Sequence, residues 1–177
     1  QSSSATTAIT LILVANEWIN FEMATAMILG ENIGTTVTAN MAAAVANVHA
    51  KRIARFHTLF NLIGVTWMLF MMGFFMDLVE SIVPHIPFIS GDTNLIHDAL
   101  YNPDVVNSTI AGLEGDAADA YKSDVKDART FAVATFHSLF NITNVVILVW
   151  FAPKLAQFVV KMVSSNGRED EHSSLAF

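Results

Sequence analysis

Long apolar runs separated by polar turns dominate the chain. Three of them, Phe21–Val48, Ile53–Met76 and Phe131–Phe151, are long enough to cross a hydrocarbon core, which needs about 20 helical residues. The run Ser2–Val14 is too short to cross and predicts a re-entrant half-helix or the end of a longer helix. The pattern therefore predicts an all-α integral membrane protein.

The first long run differs from the other two because it is rich in small and polar residues. As one straight helix, Phe21–Val48 would reach about 42 Å, whereas a hydrocarbon core is about 30 Å thick. It contains Gly30 and Gly34 beside an asparagine and three threonines. This composition predicts a broken transmembrane helix, unwound within 30–38 so that carbonyls and hydroxyls line a cavity.

Composition and charge agree with a membrane location and indicate an orientation. Hydrophobic residues make up 53% of the chain and charged residues 14%, which is membrane composition. Basic residues cluster before the second span and after the third: Lys51, Arg52, Arg55, Lys154, Lys161 and Arg168. Because positive charge stays on the cytoplasmic side, both clusters are expected inside and the acidic loop 84–127 outside. The net charge of −7 argues against nucleic-acid binding.

These features predict two regions. Residues 1–163 form a membrane domain that includes the acidic loop, and residues 164–177 form a polar cytoplasmic tail or linker.

A short internal repeat marks the second and third spans. Residues 54–61 recur as 134–141 with six of eight positions identical, and each copy places a histidine one helical turn before an asparagine: His57 with Asn61, and His137 with Asn141. The favoured interpretation is interhelical or backbone hydrogen bonding. Metal ligation is the weaker one, since no carboxylate or cysteine stands at a matching spacing nearby. If the spans run in opposite directions, the two pairs need not meet.

Two clusters of small oxygen-bearing side chains interrupt the apolar sequence, at 1–7 and at 30–38. Buried hydroxyls and amides cost free energy unless they are hydrogen-bonded or bound to a ligand. Such clusters therefore indicate either close helix packing through small residues or a site for a small ion.

The motifs QSSSATT, GENIGTTVTAN and R-x-x-R-F-H-T-L-F-N, followed later by ATFHSLFN, resemble the type II sodium-dependent phosphate cotransporters, particularly their bacterial branch. The resemblance implies a carrier of two inverted repeats, each with a QSSS-bearing re-entrant hairpin and a broken helix. This chain has one QSSS, so it is expected to be most of one repeat, the second, and to need the partner repeat or a second copy. The implied location is a bacterial inner membrane.

The resemblance also implies residue roles. It assigns phosphate contact to Gln1, Ser2, Ser3 and Ser4, where the positive end of a half-helix would face the anion. Sodium, a hard cation, prefers hydroxyl, amide and carbonyl oxygen. Its candidate ligands are Thr6, Asn32, Thr35 and Thr36.

Glu31 departs from the pattern of the family, in which alanine is expected between glycine and asparagine. The acidic group would either attract a cation or titrate, or it would face another helix or a water-filled vestibule.

The function implied is sodium-coupled symport of inorganic phosphate across a lipid bilayer. Sodium acts as the coupling ion, and no cofactor is expected. The alternative is a membrane module that senses phosphate or holds a partner without transporting. An enzyme is not expected, because the Ser and Thr clusters lack a His–carboxylate arrangement around a nucleophile.

Overall fold

The computed structural model describes residues 3–87, 89 and 91–164, and this part of the chain is α-helical with no strand. The helices, in chain order, are α1 Ser3–Ala15, α2 Phe21–Ala43, α3 Val48–Ile82, α4 Thr93–Tyr101, α5 Pro103–Ala111, α6 Asp116–Leu148 and α7 Ala152–Met162. Single 3₁₀ turns, Val83–His85 and Val149–Phe151, follow α3 and α6.

Helices α3 and α6 confirm that the second and third apolar runs are long enough to cross a membrane. The continuous helical stretches Val48–His85 and Asp116–Met162 both meet the length and hydropathy expected of a membrane span. In their most apolar windows, only 28% and 11% of the residues are buried within the protein. Large apolar side chains such as Phe70 and Trp150 are 84% and 80% exposed. Exposed apolar helix surface of this extent suits contact with lipid.

The predicted break in the first run is wrong. Helix α2 continues through 30–38 without interruption and ends at Ala43, and Asn47 then caps α3. The polar side chains accommodate this by bonding carbonyls of their own helix three or four residues back, as Asn32 does to Ile28 and Thr36 does to Ile33. Because these groups are satisfied locally, unwinding is not needed to give them partners.

Neighbouring long helices run antiparallel, as the charge pattern predicted for the second and third spans. Near the start of α3, Arg52 donates to the carbonyl of Val163, beyond α7, at 3.0 Å. Further along α3, Trp67 Nε1 donates to Asn144 Oδ1 at 3.2 Å, and the Trp67 ring packs against Phe140. The residue number therefore rises along α3 in the direction in which it falls along α6 and α7. This antiparallel course brings both basic clusters to one end of the bundle.

The acidic segment 84–127 was predicted as a loop, but it contains α4, α5 and the first turns of α6. Asp92 caps α4 by accepting from the backbone N–H groups of Asn94 and Leu95. Ile96 and Val106 are fully buried, so this segment packs on the bundle. The sequence signal was missed because the charges of a solvent-facing helix surface resemble those of a loop.

A buried arginine ties the acidic end together. Arg129 in α6 is 6% exposed, and its Nε donates to the carbonyl of Ala99 at 2.7 Å. Its guanidinium also pairs with Glu17 at 2.5 Å. Glu17 lies in the turn between α1 and α2 with a positive φ of 62°. One side chain therefore joins the α1–α2 turn to α4 and α6.

The two copies of the internal repeat make different hydrogen bonds. Asn61 is buried and donates from Nδ2 to the carbonyl of Asn32 in α2 at 3.0 Å, which joins two helices. Asn141 instead donates to His137 of its own helix at 2.9 Å. The first asparagine is thus interhelical and the second is local, while His57 is exposed.

Helices α3 and α6 approach each other closely at Gly64. A Cβ at this position would overlap the side-chain amide of Asn144, which is 2% exposed and held by Trp67. Glycine is therefore required here by space.

Replacing Gly64 by alanine should destabilise the protein by about 1–3 kcal/mol, the usual cost of overpacking, because Asn144 must leave Trp67 to make room. Thermal unfolding in detergent would measure the effect. Gly73→Ala, on the same helix, is the matched control, since a Cβ at Gly73 would meet no atom within 4 Å. Equal stability of both variants would contradict the close approach.

Replacing Asn61 by alanine should cost more stability than the equivalent change at Asn141. Only Asn61→Ala removes a hydrogen bond between helices, at a cost of about 0.5–1.5 kcal/mol, because the carbonyl that it reaches keeps a donor on its own helix. Chemical or thermal unfolding of the two variants side by side checks the order. A larger loss for Asn141→Ala would show that the repeat copies have the opposite roles.

Tyr101 has a buried hydroxyl with no hydrogen-bond partner in the described part of the chain. Burial, reinforced by the carboxylates of Glu80, Asp77 and Glu22, raises the pKa of Tyr101 to about 12. The folded state thus holds this proton more tightly than the unfolded chain. The resulting stability is present below pH 10 and is lost as the pH rises toward 12.

Tyr101→Phe should leave the fold intact and lessen the loss of stability between pH 10 and 12. At neutral pH it should be neutral or stabilising by about 1 kcal/mol, because it removes an unsatisfied hydroxyl. Unfolding midpoints at pH 8, 10 and 11.5 measure both effects. If Tyr101→Phe lost stability as steeply as the wild type above pH 10, Tyr101 would not be the source of the alkaline loss of stability.

Candidate functional site

Helices α1 and α2 form an antiparallel hairpin that carries both polar clusters. Asn20 starts α2 as its N-cap, accepting from the backbone N–H of Met23 at 2.8 Å. Val14 and Phe21, on either side of the turn, are 1% exposed. Burial at the closed end of the hairpin and a fixed helix start set how α1 and α2 align.

Two of the serines assigned to phosphate contact, Ser3 and Ser4, lie at the open end of this hairpin. Ser3 and Ser4 are exposed in the first turn of α1, while Gln1 and Ser2 lie outside the described residues. An exposed hydroxyl in the first turn of a helix can donate to an anion.

The residues assigned to sodium fall mainly in the middle of α2. Thr35 Oγ1 donates to the carbonyl of Glu31 at 2.8 Å, and Thr36 Oγ1 donates to Ile33 at 2.7 Å. Asn32 donates its amide to Ile28 at 3.0 Å. Each hydroxyl or amide uses a hydrogen in these bonds, so oxygen lone pairs remain for a cation. Thr6 is half-buried on α1, and its carbonyl accepts from Thr10.

The hydrogen bonds bring three helices together at one level. Thr7 Oγ1 of α1 lies 2.9 and 3.0 Å from the two carboxylate oxygens of Glu31 in α2. Asn61 of α3 donates to Asn32, the residue after Glu31. In an antiparallel hairpin with Thr7 opposite Glu31, Ser3 stands one turn away at the level of Thr35. We call the set Thr7, Glu31, Asn32, Thr35 and Asn61 the polar layer.

Thr7 was not among the predicted site residues, and two interpretations of Glu31 were open. The hydrogen bond between the two side chains shows that Glu31 faces another helix, as one of those interpretations predicted. The sequence does contain a signal for Thr7: it follows Ser3 by four residues, so the two side chains lie on the same face of α1.

The basic residues lie apart from the polar layer. Lys51 and Arg55 line a cavity of about 610 Å³ with Asn40, Met162 and Ser164 at the basic end. From Arg55 to Asn61 the rise along α3 is about 9 Å, more than a hydrogen bond spans. Within 3–87, 89 and 91–164, no group of three His, Asp or Glu side chains is arranged to hold a metal ion.

The arrangement presents groups that can bind an ion. Two separate contacts, Thr7 with Glu31 and Asn61 with the carbonyl of Asn32, place hydroxyl, carboxylate and carbonyl oxygens within the helix bundle. Such an environment makes electrostatic interactions with a bound ion stronger than they are in water.

Comparison with known proteins agrees with this geometry. A family model described as Na+/Pi-cotransporter matches residues 1–83, which cover α1, α2 and α3 and therefore the whole polar layer. The repeat copy at 134–141 lies beyond the match. No curated protein and no solved structure matches the chain. Residues 1–83 thus match the Na+/Pi-cotransporter family, which is a family of transporters and not of enzymes.

Proposed function

We propose that the protein moves inorganic phosphate across a membrane together with sodium, as a secondary active symporter. The polar layer carries the proposal: it lies within the family-matched residues, and it contains two predicted sodium ligands, Asn32 and Thr35, in a helix that hydrogen bonds link to α1 and α3. Membership of this family suggests sodium-phosphate transport.

Phosphate contact is proposed for Gln1, Ser2, Ser3 and Ser4. The positions of Ser3 and Ser4 support it, because both are exposed at the start of α1, where hydroxyl donors and the positive end of the helix favour an anion. The hairpin alignment places Ser3 at the level of Thr35. Anion and cation would then bind side by side.

Sodium is proposed to contact Asn32, Thr35, Thr36 and Thr6. Bound sodium would offset the charge of phosphate in surroundings of low dielectric constant, so each ion would raise the affinity for the other. That mutual stabilisation of one occupied state is what coupled transport requires. No covalent step is involved.

The proposed orientation places the basic end of the bundle in the cytoplasm and the acidic segment 84–127 outside. The antiparallel course of α3 and α6 supports it, since it separates Lys51 and Arg55 from the acidic end held by Arg129. We propose a bacterial inner membrane as the location, with residues 1–163 as the membrane domain and 164–177 as a cytoplasmic tail or linker.

A complete carrier is proposed to need the partner repeat or a second copy of the chain. The exposed apolar surface of α6 supports this, because such surface suits either lipid or another set of helices. Two half-sites facing each other would surround an ion that one half-site leaves open.

Ser3→Ala should raise the phosphate concentration for half-maximal uptake roughly tenfold or more, because a hydrogen bond to a charged group contributes about 1.5–3 kcal/mol. The measurement is radiolabelled phosphate uptake into proteoliposomes of the full-length protein, with and without an inward sodium gradient. The wild type should take up phosphate only with the gradient.

The matched control is Ser108→Ala in α5, whose exposed hydroxyl bonds its own helix at Val105. It should transport like the wild type. Well-folded wild-type protein that shows no sodium-dependent uptake would contradict the symporter. Phosphate binding without flux would favour the sensor or scaffold instead.

A further inference from the structure

Glu31 is a buried carboxylate without a basic partner. Only 8% of the residue is exposed, and the hydroxyl of Thr7 is its one side-chain hydrogen-bond donor in the described part of the chain. The ion pairs found there involve His97, Lys122 and Arg129, none of which reaches Glu31. Lys51 and Arg55 instead line a cavity with Asn40, which lies further along α2 than Glu31.

An uncompensated charge in this position is costly. Moving a carboxylate from water into an apolar bundle costs several kcal/mol, and one neutral hydroxyl recovers only part of that. Ionisable groups inside membrane helices therefore pair with an opposite charge or take up a proton. Glu31 needs a cationic partner that the described side chains do not supply.

The atoms around Glu31 suit a small hard cation. Thr7 Oγ1 lies 2.9 and 3.0 Å from its two carboxylate oxygens, so three oxygen atoms from α1 and α2 already stand together. Thr35, one turn further along α2, bonds the carbonyl of Glu31 at 2.8 Å and thus presents its hydroxyl on the same face. The hydroxyl oxygens keep lone pairs that a cation can use.

We propose that Glu31 is a sodium ligand that binds one coupling ion together with the hydroxyls of Thr7 and Thr35. The inference rests on the proposed symport and adds a charged group to a site otherwise built of neutral oxygens. A sodium ion here neutralises the carboxylate, so it can bind before phosphate does. It also ties α1 to α2 before the anion arrives.

The test compares Glu31→Gln with Glu22→Gln in the full-length protein. Both changes are the same substitution on α2, but Glu22 is exposed in the first turn whereas Glu31 is buried. The first readout needs no transport: the rise in unfolding temperature when sodium chloride replaces choline chloride, without phosphate. Sodium should stabilise the wild type and Glu22→Gln but have little effect on Glu31→Gln.

The second readout is the dependence of phosphate uptake on sodium concentration. Glu31→Gln should raise the half-saturating sodium concentration roughly tenfold or more, the effect of losing about 1.4 kcal/mol of binding. It should also lower by one the number of sodium ions carried per phosphate. Thr7→Val should also weaken sodium binding, whereas Thr7→Ser, which keeps the hydroxyl, should bind sodium like the wild type. A role of the Thr7 methyl group in packing alone would give the opposite order.

The outcomes separate this inference from the proposed function. If the wild type takes up phosphate with sodium and Glu31→Gln shows the same sodium dependence, the ligand role is overturned while the symporter stands. An unchanged sodium curve with an altered pH dependence would also overturn it, because Glu31 would then take a proton. Sodium stabilisation that is lost in Glu31→Gln, in a protein that shows no uptake, would support the site and contradict the symporter.

Discussion

Buried polar groups in an apolar helix bundle must find partners, and in this protein two such contacts cross between helices at one level. Thr7 reaches Glu31 between α1 and α2, and Asn61 reaches the carbonyl of Asn32 between α3 and α2. Because water is scarce in such a place, Glu31 without Thr7 would lose its side-chain donor and gain no replacement. These bonds stabilise the alignment that burial at the α1–α2 turn sets, and the same alignment brings candidate ion-binding groups to one level.

The bundle separates three chemical environments along its length. The basic end holds Lys51 and Arg55, the middle holds the polar layer, and the acidic end is closed by Arg129 between Glu17 and Ala99. The apolar surface of α3 and α6 surrounds the middle. The polar layer therefore offers oxygen atoms in the middle of the bundle, between the two charged ends.

Much of this arrangement follows from the sequence, since hydropathy and charge are strong signals over 20 residues. The two long spans and their opposite directions were predicted, and the motifs pointed to the family that matches residues 1–83. The break in α2 was wrong because composition cannot show that Asn32 and Thr36 satisfy themselves on their own helix. Helices α4 and α5 were missed because their charges resemble those of a loop.

The candidate site was less predictable than the fold. Sequence order suggested which oxygens suit sodium, but the pairing of Thr7 with Glu31 depends on how α1 and α2 align, which is set by burial of Val14 and Phe21 near the turn. The roles of Gln1 and Ser2 stay predictions, because both lie outside the described residues. Local sequence pattern indicates chemistry, whereas the meeting of distant groups depends on packing.

The central claim is that sodium and phosphate bind to one site and strengthen each other. Isothermal titration of phosphate into the purified full-length protein, in sodium chloride and in choline chloride of equal ionic strength, tests it most directly. The account predicts clearly tighter phosphate binding in sodium. Equal affinity in the two salts, in protein that binds phosphate, would contradict it.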